Sequence, residues 1–215
     1  MNRTRITWLG HSCFMIEKDG YRIVLDPYED GKVPGLAPLR LTADKVLASH
    51  GHADHFAPGV VRIREGAEEK VCPFEITELH SFHDEQGGAL RGENVIRIFS
   101  DGVVKIAHMG DIGCRPSEEQ MEALKGLSVM LVPVGGHFTM EPEKIRELVA
   151  ELRPLIVVPM HYRSDSFGFG VIRPLADYTA MCGDTRVYDR GYLLLPDDLA
   201  QQTAVLTYAP APAEL

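Results

Sequence analysis

The sequence predicts a mixed, strand-rich α/β layering in which helices cover sheet faces. Three observations lead there. Short apolar runs recur at strand length, Gly-bearing turn signals separate them, and only two segments carry helical spacing. Residues 5–9 (RITWL), 13–17 (CFMIE) and 21–26 (YRIVLD) read as strands, and Asp19-Gly20 between the last two is a hairpin signal. The chain therefore opens as an antiparallel meander. Residues 28–42 are rich in Gly and Pro and read as a long surface loop of the kind that borders binding sites. A short buried strand at 45–49 runs straight into His50. Further strands are expected at 75–82, 94–99, 103–108, 128–134, 155–160 and 191–195, with Asp101-Gly102 as a second hairpin turn. Ser117 and Gln120 stand at capping-box spacing and open a helix to about Gly126. From Pro142 to Leu152, Ile145, Leu148, Val149 and Leu152 share one helical face.

With 215 residues and no repeat, low-complexity tract or linker, one domain over 1–215 is expected. A chain this long buries about 70% of its unfolded surface, which removes the need for disulfide staples. The 22 Lys and Arg against 31 Asp and Glu give a net charge of −9, which opposes nucleic acid as a partner. No stretch approaches the roughly 20 apolar residues of a membrane span, and the N-terminus lacks an apolar leader core, so a cytoplasmic protein with no membrane partner is expected. Cys13, Cys72, Cys114 and Cys182 lie far apart with no C-x-x-C pair. They read as ordinary buried thiols. The expected partner is a small-molecule substrate, and a homo-oligomer is left open.

The chemistry concentrates in His50-Gly51-His52-Ala53-Asp54-His55. In an extended segment residues i and i+2 share a face, so His50 and His52 can aim two imidazoles at one cation. Asp54 and His55 follow where the chain turns and can address a second cation nearby. Two adjacent sites need further donors, and rigid donors are found at strand ends. His80 and His83 differ by three and face opposite ways on a strand, so one of them joins; His83, at the strand's exit, is favoured over His80. Asp84 either orients His83 or is a turn residue. Asp111 follows an apolar strand that breaks at Gly110, and its two oxygens can bridge two cations. His161 stands at the exit of the apolar run at 155–160.

These residues, with the segments ITWLGHSCFMIE, IVLDP, ASHGHADHF, HMGD, LVPVGG and VVPMHY, resemble the metallo-β-lactamase-fold superfamily of metal-dependent hydrolases. Within it they are similar to the short branch that includes L-ascorbate-6-phosphate lactonase. The likeness runs from about residue 5 to 162. It implies an α+β fold, a four-layer αββα sandwich of two mixed sheets with outer helices and a metal site at one edge. It also implies that His50, His52 and His83 bind one ion, that Asp54, His55 and His161 bind the other, and that Asp111 bridges them. Asp54 and Asp111 are then the catalytic carboxylates.

Two such ions would activate a water for attack on a small ester, lactone or phosphate-bearing metabolite. Imidazole and carboxylate donors suit Zn first, and Mn or Fe as well. The competing readings are a metal-dependent phosphodiesterase or nuclease, and a metal-binding protein that retains the fold without turnover. For substrate binding the candidates are His137 after Gly135-Gly136, His108 three residues before Asp111, Tyr162 and Arg163, with residues 162–170 as a flexible wall. His11, at the end of the first strand, either approaches the cavity or makes a structural hydrogen bond, and the second reading is preferred.

Overall fold

In the computed structural model, which describes residues 3–210, β1 (Thr4–Gly10), β2 (Cys13–Lys18) and β3 (Tyr21–Leu25) form the expected antiparallel meander. Asp19 and Gly20 turn between β2 and β3 with φ of 52° and 75°, the two positive values that a tight hairpin needs. β4 (Leu41–Ala43) precedes β5 (Lys45–Leu47), which runs parallel to β3, and β6 (Val61–Ile63) pairs in parallel with β4. β7 (Glu75–Phe82), β8 (Glu93–Ser100) and β9 (Lys105–His108) are consecutive antiparallel neighbours.

Helices and parallel strands then alternate: α1 (Glu118–Ala123), β10 (Val129–Pro133), α2 (Pro142–Leu152), β11 (Ile156–Met160) and α3 (Leu175–Thr179). The Ser117 side chain accepts from Gln120 N, and the Gln120 side chain accepts from Ser117 N, which is the capping box expected from their spacing. β12 (Thr185–Tyr188), β13 (Tyr192–Leu195) and β14 (Gln202–Leu206) end the described chain. The strands assemble into one sheet of order β13-β1-β2-β3-β5, a second of order β12-β14-β11-β10-β9-β8-β7, and the small pair β4-β6. Both large sheets are mixed, as expected for the sandwich.

Period-two alternation explains how the first sheet packs. Ile6, Trp8, Phe14, Ile16, Ile23 and Leu25 point from it into a core shared with Ile98, Ile106, Leu131 and Val158 of the second sheet. β10 and β11 are buried at every position, which is why they read as unbroken apolar runs. The expected α2 face, Ile145, Leu148, Val149 and Leu152, enters the same core. Each such side chain contributes about 1.5–3 kcal/mol by burial.

The other face of the first sheet differs from expectation. Leu9, Cys13, Met15 and Val24 lie under Tyr28, Val33, Leu36, Leu39 and Leu41, so residues 28–42 are a packed cover rather than a surface loop. Tyr28 is 1% exposed, and its hydroxyl donates to the Leu9 and Ala37 carbonyls at 3.2 and 3.0 Å. The cysteines also differ: Cys13 is buried, whereas Cys72, Cys114 and Cys182 are half-buried free thiols.

The topology places the site. β9, β10 and β11 are parallel, and β7 shares their direction because it lies two antiparallel steps from β9. The C-terminal ends of β7, β9 and β11 therefore open on one edge, and these ends carry His83, Asp111 and His161.

Candidate metal centre

The four residues of the His50–His55 segment do not sit on an extended strand. After β5 the chain bends, and His55 N and Phe56 N both donate to His52 O, at 2.8 and 2.7 Å. The turn, not strand alternation, sets the His50 and His52 rings 4.6 Å apart at 88°. His83 leaves β7 with its N–H on Gly92 O. Asp111 is held by Asn94 Oδ1, which accepts from Asp111 N at 2.9 Å. His161 follows β11 with φ of 51°, and its N–H donates to His11 O.

The tight β1–β2 turn, where the register shifts after Trp8, holds His11 at φ of 51° and aims its ring into the same cluster. Its ring centre is 4.1 Å from that of His161, and its Nε2 is 3.3 Å from Asp54 Oδ2. His11 thus stands within the cluster, the alternative to the structural hydrogen bond preferred from the sequence.

Donor atoms fall into three overlapping groups, each spanning no more than 4.8 Å: His50, His52 and His83 in one, His11, Asp54, His55 and His161 in a second, and Asp26, His50 and His55 in a third behind them. Asp111 lies between the first two. Its Oδ2 is 3.2 Å from His55 Nε2, 3.3 Å from His83 Nε2 and 3.1 Å from His161 Nε2. All seven residues singled out as ligands are therefore brought together.

Behind the cluster, Asp26 accepts from Ser49 N and Ser49 Oγ, each at 2.6 Å, and from His55 Nδ1 at 2.7 Å. Ser49 Oγ in turn lies 2.9 Å from His50 Nδ1. One buried carboxylate thereby orients a histidine of each of the first two groups. Burial favours unprotonated imidazoles at His50 and His11, and the buried carboxylates reverse that at His55. Burial, reinforced by the charge of His55, pushes His50 down to about 3, and burial with His161 pushes His11 down to about 4. For His55 burial opposes charge, but the Asp111 and Asp26 carboxylates outweigh it and raise the pKa. Burial would raise Asp111 as well, yet His161 and His55 hold it well below the usual carboxylate range.

These residues fit divalent cations on a separate observation. The buried atoms His11 Nδ1, His50 Nε2, His55 Nε2, His161 Nε2 and Asp111 Oδ1 have no hydrogen-bond partner in the described structure. A buried polar atom left unpaired costs about 1–3 kcal/mol. Such a concentration of them in one cluster is what a bound cation resolves. His52, Asp54, His83 and Asp111 form the floor of an open cavity of about 340 Å3 whose apolar walls are Leu90, Phe138 and Phe169.

The expected substrate-binding residues are placed elsewhere. His108 is 2% exposed, its Nε2 donates to Ser12 O at 2.9 Å, and its Nδ1 accepts from Gly110 N, so it braces the turn behind Asp111. Tyr162 is 5% exposed and packs against Trp8 and Phe167 in the core. The Nε of Arg163 donates to Ile172 O. His137 turns its ring to Phe138, and it is Phe138 that lines the cavity. In the 162–170 segment, Phe167 is packed against Trp8 and Phe169 alone reaches the cavity wall. His80 remains on β7, where its carbonyl accepts from Gln120 Nε2. Asp84 does not orient the His83 ring; its carboxylate accepts from the N–H groups of Gln86, Gly88, Leu90 and Arg91. Asp26 is the residue of this cluster that the sequence did not single out, and His11 the one it preferred to read as structural. The motif signals available were the Gly10-His11 turn and the Asp26-Pro27 pair at the end of β3.

Residues 5–161 match the model of the beta-lactamase superfamily domain. The chain is similar to a UPF0173 metal-dependent hydrolase of Pelotomaculum thermopropionicum, at 30% identity over 74% of this chain and 85% of that protein. A UPF0173 metal-dependent hydrolase of Methanopyrus kandleri is 29% identical over 74% of this chain and 84% of the relative. Among solved structures, a metallo-beta-lactamase superfamily protein of Thermotoga maritima superposes with a TM-score of 0.69 at 26% identity, covering 94% of this chain and 97% of the other. With the family model matched across the strand ends that carry the cluster, the chain belongs to the beta-lactamase superfamily.

Proposed function

We infer that the protein is a metal-dependent hydrolase that acts on a small ester, lactone or phosphate-bearing molecule at a two-cation centre. The observation that carries this reading is Asp111 Oδ2, set 3.1–3.3 Å from one imidazole of the first donor group and two of the second. A carboxylate so placed would be shared by two cations, of which His50, His52 and His83 would hold one and Asp54, His55 and His161 the other. The relatives support it, being named metal-dependent hydrolases. Zn is the first choice for these donors, with Mn and Fe as alternatives.

Bound divalent cations would lower the pKa of a water toward about 7 and polarise the oxygen of the substrate bond. The chain's own residues supply the rest. Asp54, whose side chain is 14% exposed, lines the cavity and offers Oδ2 to the proton of the attacking water. His11 Nε2, 3.3 Å from that oxygen, steadies it. Leu90, Phe138 and Phe169 exclude water from one side of the reacting group.

The test is metal analysis of the purified protein coupled to a panel of lactones, esters, thioesters and phosphodiesters. Two equivalents of metal and chelator-sensitive turnover of an ester or lactone are expected, with Asp111→Asn reducing turnover by orders of magnitude while the melting curve keeps its shape. Full activity after chelation, or an unimpaired Asp111→Asn enzyme, refutes the reading. Turnover confined to phosphodiesters would move the substrate class.

A further inference from the structure

The cavity over the cluster carries two cations that hydrolysis alone does not require. Lys32 and Arg91 join the apolar residues Leu90, Phe138 and Phe169 around its mouth. We propose that Lys32 and Arg91 form an anion subsite, so that the substrate is a small organic anion whose carboxylate or phosphate lies on these two side chains. Its apolar body then lies along Phe138 and Phe169, and its scissile group reaches His52 and Asp111 on the floor. This deepens the hydrolase reading and rests on it.

Arg91 is fixed rather than free to swing. Its N–H donates to Asp84 Oδ2 at 2.8 Å, its Nη2 donates to His137 O at 3.1 Å, and its guanidinium carbon lies 5.9 Å from the centre of the Phe138 ring. That side chain makes no other hydrogen bond among the described residues, which leaves the remaining guanidinium donors for a ligand. The acids around it are engaged. Asp84 is occupied by four N–H groups of its own loop, Glu85 pairs with Lys144, and Glu141 accepts from His137 N and faces Arg173 at 3.7 Å. Lys32 is exposed and has no ion-pair partner among the described residues.

Two unneutralised cations at one mouth are selective in a chain of net charge −9. Arg offers a planar fork that matches carboxylate and phosphate oxygens, and Lys adds a mobile point charge. A volume of about 340 Å3 holds a metabolite-sized molecule. A nucleic-acid strand would need a longer run of cations than these two.

The experiment compares the mono-4-nitrophenyl ester of glutarate, its phosphonate counterpart and its neutral methyl ester as substrates of the metal-loaded enzyme. In parallel, calorimetry with phenylacetate, phenyl phosphate and neutral phenylacetamide measures binding without turnover. An anionic ester should exceed the neutral one in kcat/KM by about tenfold, and an anionic probe should bind more tightly than the amide by a similar factor. In the Lys32→Gln/Arg91→Gln double variant both gaps should close, with the kinetic loss falling mainly on KM. The carboxylate and phosphorus arms tell which anion is preferred. Ester turnover with no anionic preference overturns the subsite and leaves the hydrolase reading standing. Anion binding abolished by the double variant, with no ester turned over, sustains the subsite and removes ester hydrolysis from the proposed reaction. An anion preference that survives the double variant assigns the anion to the metal floor and overturns the proposal.

Discussion

His55 Nδ1 donates to Asp26 Oδ2 at 2.7 Å, and both side chains are sealed from solvent at 0% and 1% exposure. The contact commits the Nδ1 proton to Asp26 and leaves Nε2, 3.2 Å from Asp111 Oδ2, as the atom that would hold a cation. Through Ser49 Oγ the same carboxylate reaches His50 of the other donor group. Both groups therefore lean on one buried carboxylate.

Asp26→Asn should weaken cation binding by about 10–100-fold, because the amide removes the charged acceptor and presents N–H to N–H at His55. Chelator competition measures this directly. The coupling through Ser49 makes a further demand: both equivalents of metal should weaken, not one. Retention of wild-type affinity at both would show that the network only packs.

His11 makes the opposite demand. It stands only in the group with Asp54, His55 and His161, so His11→Phe, which keeps an aromatic ring and removes both nitrogens, should weaken one equivalent and spare the other. A loss of about tenfold is expected for an orienting contact of this kind. The absorption spectrum of the Co(II)-loaded protein reads each site separately. Equal loss at both sites would mean that the turn has collapsed rather than that a donor is missing.

The legibility of this site follows from where its donors stand. Ligand types bunched in six residues, and single His or Asp residues at the exits of apolar strands, are local patterns that survive in one dimension. His83, Asp111 and His161 were readable for that reason, and the meander and α2 were readable from periods of two and 3.6. His11 was not, because a lone imidazole in a hairpin turn has the same sequence signature whether it points outward or inward; only the positive φ and the register shift after Trp8 decide. Asp26 ends a strand as many structural carboxylates do. Tyr162 and His137 were misplaced for the complementary reason. Each adjoins a residue at the site or its cavity, His161 and Phe138, and the backbone sends the neighbouring side chain the other way. The short strands β4, β6, β12 and β14 are held by pairing with distant partners rather than by their own periodicity.

Gly113 tests how closely the chain must pass the site. A Cβ at this position would overlap the His83 carbonyl and the Asp84 nitrogen. Gly113 N also donates to Phe82 O at 2.9 Å, so the segment cannot simply move away. Gly113→Ala should cost about 1–3 kcal/mol in denaturant unfolding and displace His83. Metal binding at the His50, His52 and His83 group should fall along with stability. An alanine variant as stable as the parent would show that this backbone contact is looser than drawn.

Asp44 contributes to acid sensitivity away from the site. It accepts from Arg22 N at 2.8 Å, from Arg64 Nε at 3.0 Å and from Lys70 Nζ at 2.9 Å, and its side chain is inaccessible to solvent. Burial works to raise its pKa, but the Arg64 and Lys70 hydrogen bonds overcome that and bring it down to about 2, against 3.8 for a free side chain. A depressed folded pKa means that the unfolded chain takes up the proton first. The stabilisation is therefore complete above pH 3.8 and is lost as the pH falls through that value toward 2. Asp44→Asn removes this contribution and leaves Arg64 and Lys70 a single neutral amide oxygen in place of the carboxylate, so the variant should be about 1–3 kcal/mol less stable at neutral pH. Its stability should also fall less steeply than that of the parent between pH 4 and 2, as followed by urea unfolding at each pH. Parallel curves would place the acid-sensitive group elsewhere.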